Sequence, residues 1–270
     1  MKNVTKEMLP ALNAQILSFE RDRDKTFEFM LQFSAHEGVC EERFTMTAPA
    51  PFTNIQGGCN DGRYHYQAFN RSERTEQGFV DRESVIVKFD LQSGERVAQS
   101  QSYEFNHAND ITYHPAKHQL ILVHKRPYRN KLSIIDPDTL QLIQSITLER
   151  DVFSIAYNPL RDCYAVGKSG GQDFAILDAD FKPIADHTAF STRFTTQGMT
   201  CDDSFLYFLQ HNKHCIMKYD WDGNFAEFIP LSQKRHEPEN ISFADGRLLV
   251  CYGASGGFAH LYEVTLKQII

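Results

Sequence analysis

The sequence predicts an all-β protein: a five-bladed β-propeller with an N-terminal closing strand and a short N-terminal helical segment. Three observations predict this fold. Two strand-and-turn patterns recur five times in phase along the 270 residues. Each repeat holds four strand signals within about 45 residues, which is the length and content of a propeller blade. The last repeat stops after its third strand, so its fourth strand must come from elsewhere in the chain.

The first pattern is an apolar run that ends in an acidic residue and a turn. The acidic residues are spaced 46, 42, 42 and 43 positions apart. They are Asp90, Asp136, Asp178, Asp220 and Glu263. Aspartate at such a position is typical of a hairpin turn, where its side-chain oxygen caps backbone amides. We therefore interpret these residues as blade architecture.

The second pattern marks the innermost strand of each blade, which is followed by a turn and an apolar strand. It occupies residues 56–59, 109–113, 153–157, 197–201 and 239–243. The apolar strands that follow it are predicted at 64–69, 119–124, 163–167, 205–210 and 247–252. One small sheet cannot bury both of its faces, so the five units must pack against one another around an axis.

The N-terminal region supplies the missing strand. Residues 41–47 alternate in polarity and are predicted to complete the last blade, which closes the ring without an open edge. Residues 25–33 also alternate and are predicted as an extra strand. Residues 4–20 are predicted as a short amphipathic helix that caps an edge or the pore. We thus expect an N-terminal extension at 1–37 and a propeller at 38–270.

Composition narrows the classes of function. The net charge is −7, which argues against a nucleic-acid binder, because such a protein needs a basic face. No signal peptide is visible, and no apolar run is long enough for a membrane span. The six cysteines form no C-x-x-C pair and match no zinc spacing. We expect a soluble, cytoplasmic protein with free thiols, while the even count leaves disulfides open if the protein is exported.

The repeat resembles that of bacterial β-propellers with NHL or YVTN repeats and that of gluconolactonase-like propellers. The resemblance covers about residues 52–270. It is carried by residues 109–115, 132–136 and 239–243, the last followed by Asp245 and Gly246. It is a resemblance of repeat pattern, which implies a fold more than a chemistry. The five repeats depart from the six or seven blades of those families.

Gluconolactonase-like propellers hold a divalent metal in the channel with a Glu, Asn and Asp set. The comparable residues here are Asn109, Asp110 and Glu239, so the resemblance implies a Ca²⁺ or Mg²⁺ site. Plant-type glutaminyl cyclases are also five-bladed. They resemble this chain in blade number alone, and its single tryptophan, Trp221, fits them poorly.

The candidate site follows from the fold, because the starts of the five innermost strands converge at one mouth of the channel. The candidate catalytic residues are Asp110, Glu239, His107 and His236. The candidate ligand-binding residues are Gln56, Asn109, Gln197 and Asn240. Facing carboxylates shift each other's pKa, as acid–base pairs require, and a histidine could act as a base. The alternative is a channel lining that holds water and satisfies strand ends.

Three functions follow from this arrangement. The leading hypothesis is a propeller that binds a small polar ligand at the channel mouth, with or without a divalent cation. The first alternative is a hydrolase or lyase that acts on a sugar or lactone through channel carboxylates. The second alternative is a platform for a protein partner without catalysis.

Three other segments are interpreted as connections. The charged insertion at 71–82 favours an exposed loop over a lid. The cluster of His211, His214 and Cys215 favours a hairpin loop over a metal site. Gly167 with Gly170 and Gly171 marks a turn, because no helix follows to present amides to a phosphate.

Overall fold

The computed structural model describes residues 4–5, 7–19, 22–76, 78–125, 127–168, 173–189, 195–211 and 213–269. Two helices come first, α1 (Leu9–Ser18) and α2 (Arg23–Leu31), followed by strand β1 (His36–Thr47). Nineteen further strands complete five antiparallel sheets of four strands each. The predicted five-bladed propeller is confirmed. The interpretation of Gly170 and Gly171 lies outside the described residues.

Each blade runs from an innermost strand at the axis to an outer strand at the rim. Blade 1 contains β2 (Asn54–Asn60), β3 (Tyr64–Thr75), β4 (Gly78–Asp90) and β5 (Arg96–Gln99). Blade 2 contains β6 (Ala108–His114), β7 (Gln119–His124), β8 (Lys131–Ile135) and β9 (Leu142–Thr147). Blade 3 contains β10 (Ser154–Asn158), β11 (Cys163–Gly167), β12 (Phe174–Asp178) and β13 (Pro183–His187). Blade 4 contains β14 (Thr196–Cys201), β15 (Phe205–Gln210), β16 (Cys215–Asp220) and β17 (Phe225–Pro230).

Blade 5 combines both ends of the described chain. It contains β18 (Glu237–Ala244), β19 (Arg247–Ala254) and β20 (Phe258–Gln268), with β1 as its outer strand. β1 pairs with β20 along its whole length, from His36 opposite Gln268 to Thr47 opposite Phe258. The predicted closing strand at 41–47 is therefore confirmed, and it begins five residues earlier, at His36.

Helix α2 occupies Arg23–Leu31, so the predicted extra strand at 25–33 is wrong. A side-chain oxygen of Asp22 accepts a hydrogen bond from the Lys25 amide at 3.0 Å, which caps the start of α2. Thr26 and Met30 are one helical turn apart and are both buried. Alternation of apolar residues is therefore overridden by helix capping and by packing of one helical face. Ile16 of α1 and Met30 of α2 pack against apolar residues of blade 4. The two helices therefore cover this blade, in agreement with the predicted cap.

The hydrophobic core lies between the blades. One cluster joins Ile121 and Leu132 of blade 2 to Ile155 and Tyr164 of blade 3. Truncation of such a side chain to alanine typically costs about 2–5 kcal/mol. Because each blade buries its faces only against its neighbours, the five innermost strands are held in a fixed arrangement around the axis.

The recurrent aspartates cap hairpin turns, as predicted. In each of the first four blades, Oδ1 of the aspartate accepts two backbone N–H groups two to four residues ahead. The aspartates are Asp90, Asp136, Asp178 and Asp220. The amides of Ser93 and Thr139 hold the pKa of Asp90 and of Asp136 below the usual range.

Two further findings concern the chain as a whole. The six cysteines are free thiols. Within the described residues, no helix has the length and apolarity that a membrane crossing requires.

Candidate functional site

The innermost strands β2, β6, β10, β14 and β18 surround the axis and contact one another. We call the end at which these strands begin the upper mouth, and the end at which they finish the lower mouth. The strands approach closely near the upper mouth. A Cβ at Gly57 would lie 2.4 Å from Cα of Asp110, and a Cβ at Gly198 would lie 3.2 Å from Cα of Asn240. Only glycine permits this approach, so the channel is narrow at this level.

Asp110 lies at this constriction and binds backbone amides of three blades. Its Oδ2 accepts hydrogen bonds from the amides of Ile155 at 3.0 Å and Met199 at 3.2 Å. Its Oδ1 accepts from the amide of Ile111 at 3.0 Å. Burial raises the pKa of Asp110, and the three amides oppose this rise. The carboxyl group thus joins β6 to β10 and β14, with both oxygens occupied.

Asn109 and Asn240 also join neighbouring blades. Asn109 donates its side-chain amide to the carbonyl oxygen of Phe153 at 2.6 Å. Asn240 donates to the carbonyl oxygen of Gln56 at 2.9 Å and to Oε1 of Gln67 at 3.0 Å. Both side chains are buried. The structure therefore places these two predicted ligand-binding residues in contacts that hold the ring together.

The three residues of the predicted metal set, Asn109, Asp110 and Glu239, each make hydrogen bonds to other protein groups. Both oxygens of Asp110 accept backbone amides, and the amide group of Asn109 is bonded to a carbonyl oxygen. Within the part of the chain that the structure describes, no group of three or more His, Cys, Asp or Glu side chains is placed to share a metal ion.

Glu239 lies above this constriction at the upper mouth. Its side chain is buried, and Oε2 accepts hydrogen bonds from Gln197 Nε2 at 3.0 Å and Gln56 Nε2 at 3.5 Å. The same Gln197 nitrogen donates to Oε1 of Glu237 at 3.3 Å. Burial raises the pKa of Glu239 well above its usual range, and the negative charge of Glu237 adds to the effect. A carboxyl group in this setting favours its neutral form and can donate a proton.

His107 connects this carboxyl group to a third acidic residue. Its Nε2 lies 2.6 Å from Oε1 of Gln56, and its Nδ1 contacts Oδ2 of Asp81. Asp81 also accepts hydrogen bonds from Asn54 and Ser72. Burial would raise the pKa of Asp81, but the hydrogen bond and the charge of His107 outweigh it and lower the pKa.

Six side chains at the upper mouth therefore form one hydrogen-bonded series, which we call the upper-mouth network. Its members are Asp81, His107, Gln56, Glu239, Gln197 and Glu237. Nδ1 of His211, in the turn after β15, lies 2.5 Å from Oε1 of Glu237. Four residues predicted for the site, Gln56, His107, Gln197 and Glu239, are brought together.

Asp81 was not predicted, because it lies in the insertion at 71–82. That segment is not an exposed loop. β3 and β4 continue through it as a two-stranded ribbon, with Ser72 opposite Asp81 and Thr75 opposite Gly78. Arg71 lies 3.0 Å from Glu83 and 2.6 Å from Glu73. In the sequence, opposite charges alternate on either side of Gln77, and this pattern is typical of two paired strands.

The structure does not bring His236 to the channel, so its predicted place there is wrong. Its ring stacks on that of His260, with centroids 4.9 Å apart. His260 belongs to β20, two strands from the innermost one and thus about 10 Å from it. Gln197 binds both Glu237 and Glu239, whereas His236 precedes β18 and its ring packs on His260. Burial lowers the pKa of His236, and the charge of His260 lowers it further.

The lower mouth opens into a cavity of about 520 Å³ lined by the ends of all five innermost strands. Two of its acidic residues, Asp61 and Asp202, are bonded locally. Asp61 accepts the amides of Arg63 and Tyr64 and the hydroxyl of Tyr66. Asp202 repeats this arrangement with Ser204, Phe205 and Tyr207. These carboxylates therefore belong to the turns of blades 1 and 4.

Comparison with known proteins supports the fold. No family model matches the chain, and no curated protein matches it. The structure is similar to a glutaminyl cyclase from Myxococcus xanthus, with a TM-score of 0.64 and 13% identity over 87% of this chain and 99% of that one. It is also similar to a luciferin-regenerating enzyme, with a TM-score of 0.52 and 13% identity over 84% of this chain and 97% of that one.

A third similar structure is a nidogen/laminin complex, with a TM-score of 0.52 and 13% identity over 82% of this chain and 87% of that one. At these identities the likeness concerns the propeller fold. The specific kinship with NHL-repeat and gluconolactonase-like propellers that the repeat pattern implies is not confirmed by them.

Proposed function

We propose that the upper mouth binds a small polar ligand and that the Glu239 carboxyl group donates a hydrogen bond to it. The observation that carries this proposal is the buried Glu239 carboxyl group beside a second carboxylate, Glu237, where the channel opens. Burial and the charge of Glu237 raise the pKa of Glu239, and they outweigh the hydrogen bond from Gln197 and the charge of Lys125, which lower it. Strongly shifted acids in a cleft are typical of functional sites.

The two oxygens of Glu239 differ in their surroundings. Both hydrogen bonds that it accepts within the described residues are at Oε2. Oε1 lies beside Gly253, where a Cβ would stand 3.0 Å away. A side chain at position 253 would fill that space. We propose that Oε1, which accepts neither of these bonds, is the oxygen that faces the ligand, and that the ligand offers an acceptor such as a hydroxyl, carbonyl or carboxylate oxygen.

Binding can be measured by isothermal titration calorimetry with sugar acids and lactones, each with and without Ca²⁺ or Mg²⁺. We expect Glu239→Leu to weaken binding about tenfold, because it removes one hydrogen bond, which contributes about 1–1.5 kcal/mol, whereas Glu239→Gln, whose amide also donates, should preserve binding. Gly253→Ala should weaken binding by placing a methyl group against Oε1. Unchanged affinity in both Glu239→Leu and Gly253→Ala, or no heat with any compound, would contradict the proposal.

The second candidate is an enzyme that uses this neutral acid. Gln197 bridges Glu239 and Glu237, and unequal environments for two carboxyl groups are typical of acid–base pairs. The proposed acid is Glu239, with Glu237 as the second carboxyl group of the pair. Asp110, whose oxygens both accept backbone amides, is left out of this pair.

Turnover of lactones and aryl glycosides tests this candidate. A glutaminyl peptide belongs in the panel, because one similar structure is a glutaminyl cyclase. We expect any turnover to fall at least about a hundredfold in Glu239→Gln, the usual contribution of a general acid. A protein partner stays a prediction. Its support is the exposure of three large apolar residues on the outer strands of three blades, namely Val97, Ile143 and Ile184.

A further inference from the structure

We propose that the lower mouth of the channel is a second binding site, which takes a small organic amine with an aromatic or other apolar body. This inference goes beyond the proposed function, which concerns the upper mouth. The lower-mouth cavity has a volume of about 520 Å³, within the range of about 300–1,000 Å³ that is usual for small-molecule sites. The constriction at Asp110 separates this cavity from the upper mouth.

The inner part of the cavity is apolar and aromatic. Ile111, Met199 and Ile241 each follow a residue of the constriction, and their buried side chains line the cavity. Rings from three blades also line it, namely Tyr113, Tyr157 and Phe243. Apolar surface of this kind favours a ligand with an apolar or aromatic body, and the faces of aromatic rings attract a cationic group.

Two buried hydroxyl groups in the lining have a proton to donate. Oγ1 of Thr112 accepts a hydrogen bond from the Tyr157 amide at 3.1 Å, and Oγ of Ser242 accepts one from Nδ2 of Asn60 at 2.9 Å. Thr112 is 9% exposed and Ser242 is 6% exposed. In the described part of the chain, neither hydroxyl donates to a protein acceptor. Because a buried donor without an acceptor is costly, these groups favour a ligand with a hydroxyl or carbonyl oxygen at its inner end.

The rim of the cavity is negatively charged. Its four carboxylates are Asp61, Asp202, Asp203 and Asp245, and none of the described residues that line the cavity is Lys, Arg or His. Asp245 alone has a cationic partner among the described residues, Arg247 at 3.8 Å. The guanidinium group of Arg161 donates to the carbonyl oxygen of Asp203, not to its carboxylate. The rim therefore attracts a cationic ligand and repels an anionic one.

The test is a nuclear magnetic resonance titration of the ¹⁵N-labelled protein with tyramine at neutral pH. Its phenol oxygen can accept from Thr112 or Ser242 while its ammonium group lies at the rim. We expect the backbone amides of Thr112, Thr200 and Ser242 to shift, with a Kd in the millimolar range or tighter. The matched anion, 4-hydroxyphenylacetate, should bind at least about tenfold more weakly, because its carboxylate meets like charge. Phenethylamine, which lacks the phenol hydroxyl, should bind about fivefold more weakly than tyramine.

A pair of variants tests the charge of the rim. Asp203→Asn should weaken tyramine binding about threefold, because it removes one exposed carboxylate from the rim. The matched control is Asp222→Asn, which removes an exposed carboxylate of the same blade outside the cavity and should leave the affinity unchanged.

Three results would overturn the inference. The first is the absence of any shift of the lower-mouth amides at millimolar tyramine, and the second is equal binding of tyramine and 4-hydroxyphenylacetate. The third is an equal effect of the two substitutions. Equal binding of phenethylamine and tyramine would overturn the role of the two hydroxyl groups. Because tyramine is added without sugar acids or lactones, the result is independent of ligand binding at the upper mouth.

Discussion

Both mouths of the channel contain carboxyl groups, but these groups are bonded differently at the two ends. At the lower mouth, Asp61 and Asp202 bind amides and hydroxyls two to five residues away in their own blades. At the upper mouth, Glu239 and His107 bind side chains 26 to 183 residues away, in other blades. Local partners stabilise turns. Buried polar networks that join distant residues are costly unless satisfied, and this one is the basis on which we propose a ligand site at the upper mouth.

The largest expected effect concerns the constriction between the mouths. Asp110→Ala should lower the free energy of unfolding by about 3–5 kcal/mol, because buried amides in β10 and β14 lose their acceptor. Asp202→Ala, which removes bonds within one turn, should cost about 1–2 kcal/mol. Urea denaturation measures both. Equal losses in the free energy of unfolding would show that long-range and local carboxylates contribute alike to stability.

Replacement of one carboxyl group at each mouth compares binding. Glu239→Leu, which removes the donor, should weaken ligand binding about tenfold. Asp202→Asn should leave the affinity unchanged, because the lower mouth is not the proposed site for this ligand. Calorimetric titration of both variants with the same compound checks this, and a loss of affinity in Asp202→Asn alone would move the site to the lower mouth.

Stability should depend on pH through Glu239. Its pKa in the folded protein is raised above the ordinary value of 4.5, so the folded state retains a proton that the unfolded chain releases. The stability that Glu239 contributes is complete below that ordinary value and is lost as the pH rises through the folded pKa. We therefore expect Glu239→Gln to lose less stability than the wild type between about pH 5 and pH 8. The free energy of unfolding of both proteins is measured by urea denaturation. An equal change with pH in the two proteins across that range would contradict this expectation.

The smallest expected effect concerns the repeated turn contact of the lower mouth. Tyr66→Phe and Tyr207→Phe each remove a hydroxyl that donates to an aspartate, at 2.7 and 2.6 Å. Each should cost about 1 kcal/mol, or a few degrees in Tm. Calorimetric melting should give similar losses for both variants. A large difference between them would show that the two turns are not equivalent.

The sequence predicts the repeated parts of this protein well. Blade number, the closing strand and the capping role of Asp90 and Asp136 follow from local patterns that recur along the chain. The upper-mouth network is only partly predictable. Residues at strand starts, such as Gln56 and Glu239, are found because the fold makes them converge.

The parts that the sequence does not predict depend on side-chain direction and on departures from the repeat. His236 precedes β18 and points away from the axis, and the exact start of the strand decides this. Asp81 reaches the axis because two strands extend beyond the blade, which a repeat pattern cannot show. Residues 25–33 form a helix because of a cap at Asp22 and contacts with blade 4.

The pairing of β1 with β20 has a consequence for synthesis on the ribosome. Thr47 ends β1, and its partner strand begins only at Phe258. At about 5–20 residues per second, translation of the intervening chain takes about 10–40 s. During that interval the nascent protein carries an exposed strand edge at each end of an incomplete ring. Both edges are open to pairing with other chains, so a cell that makes this protein must shield them until the final strand emerges.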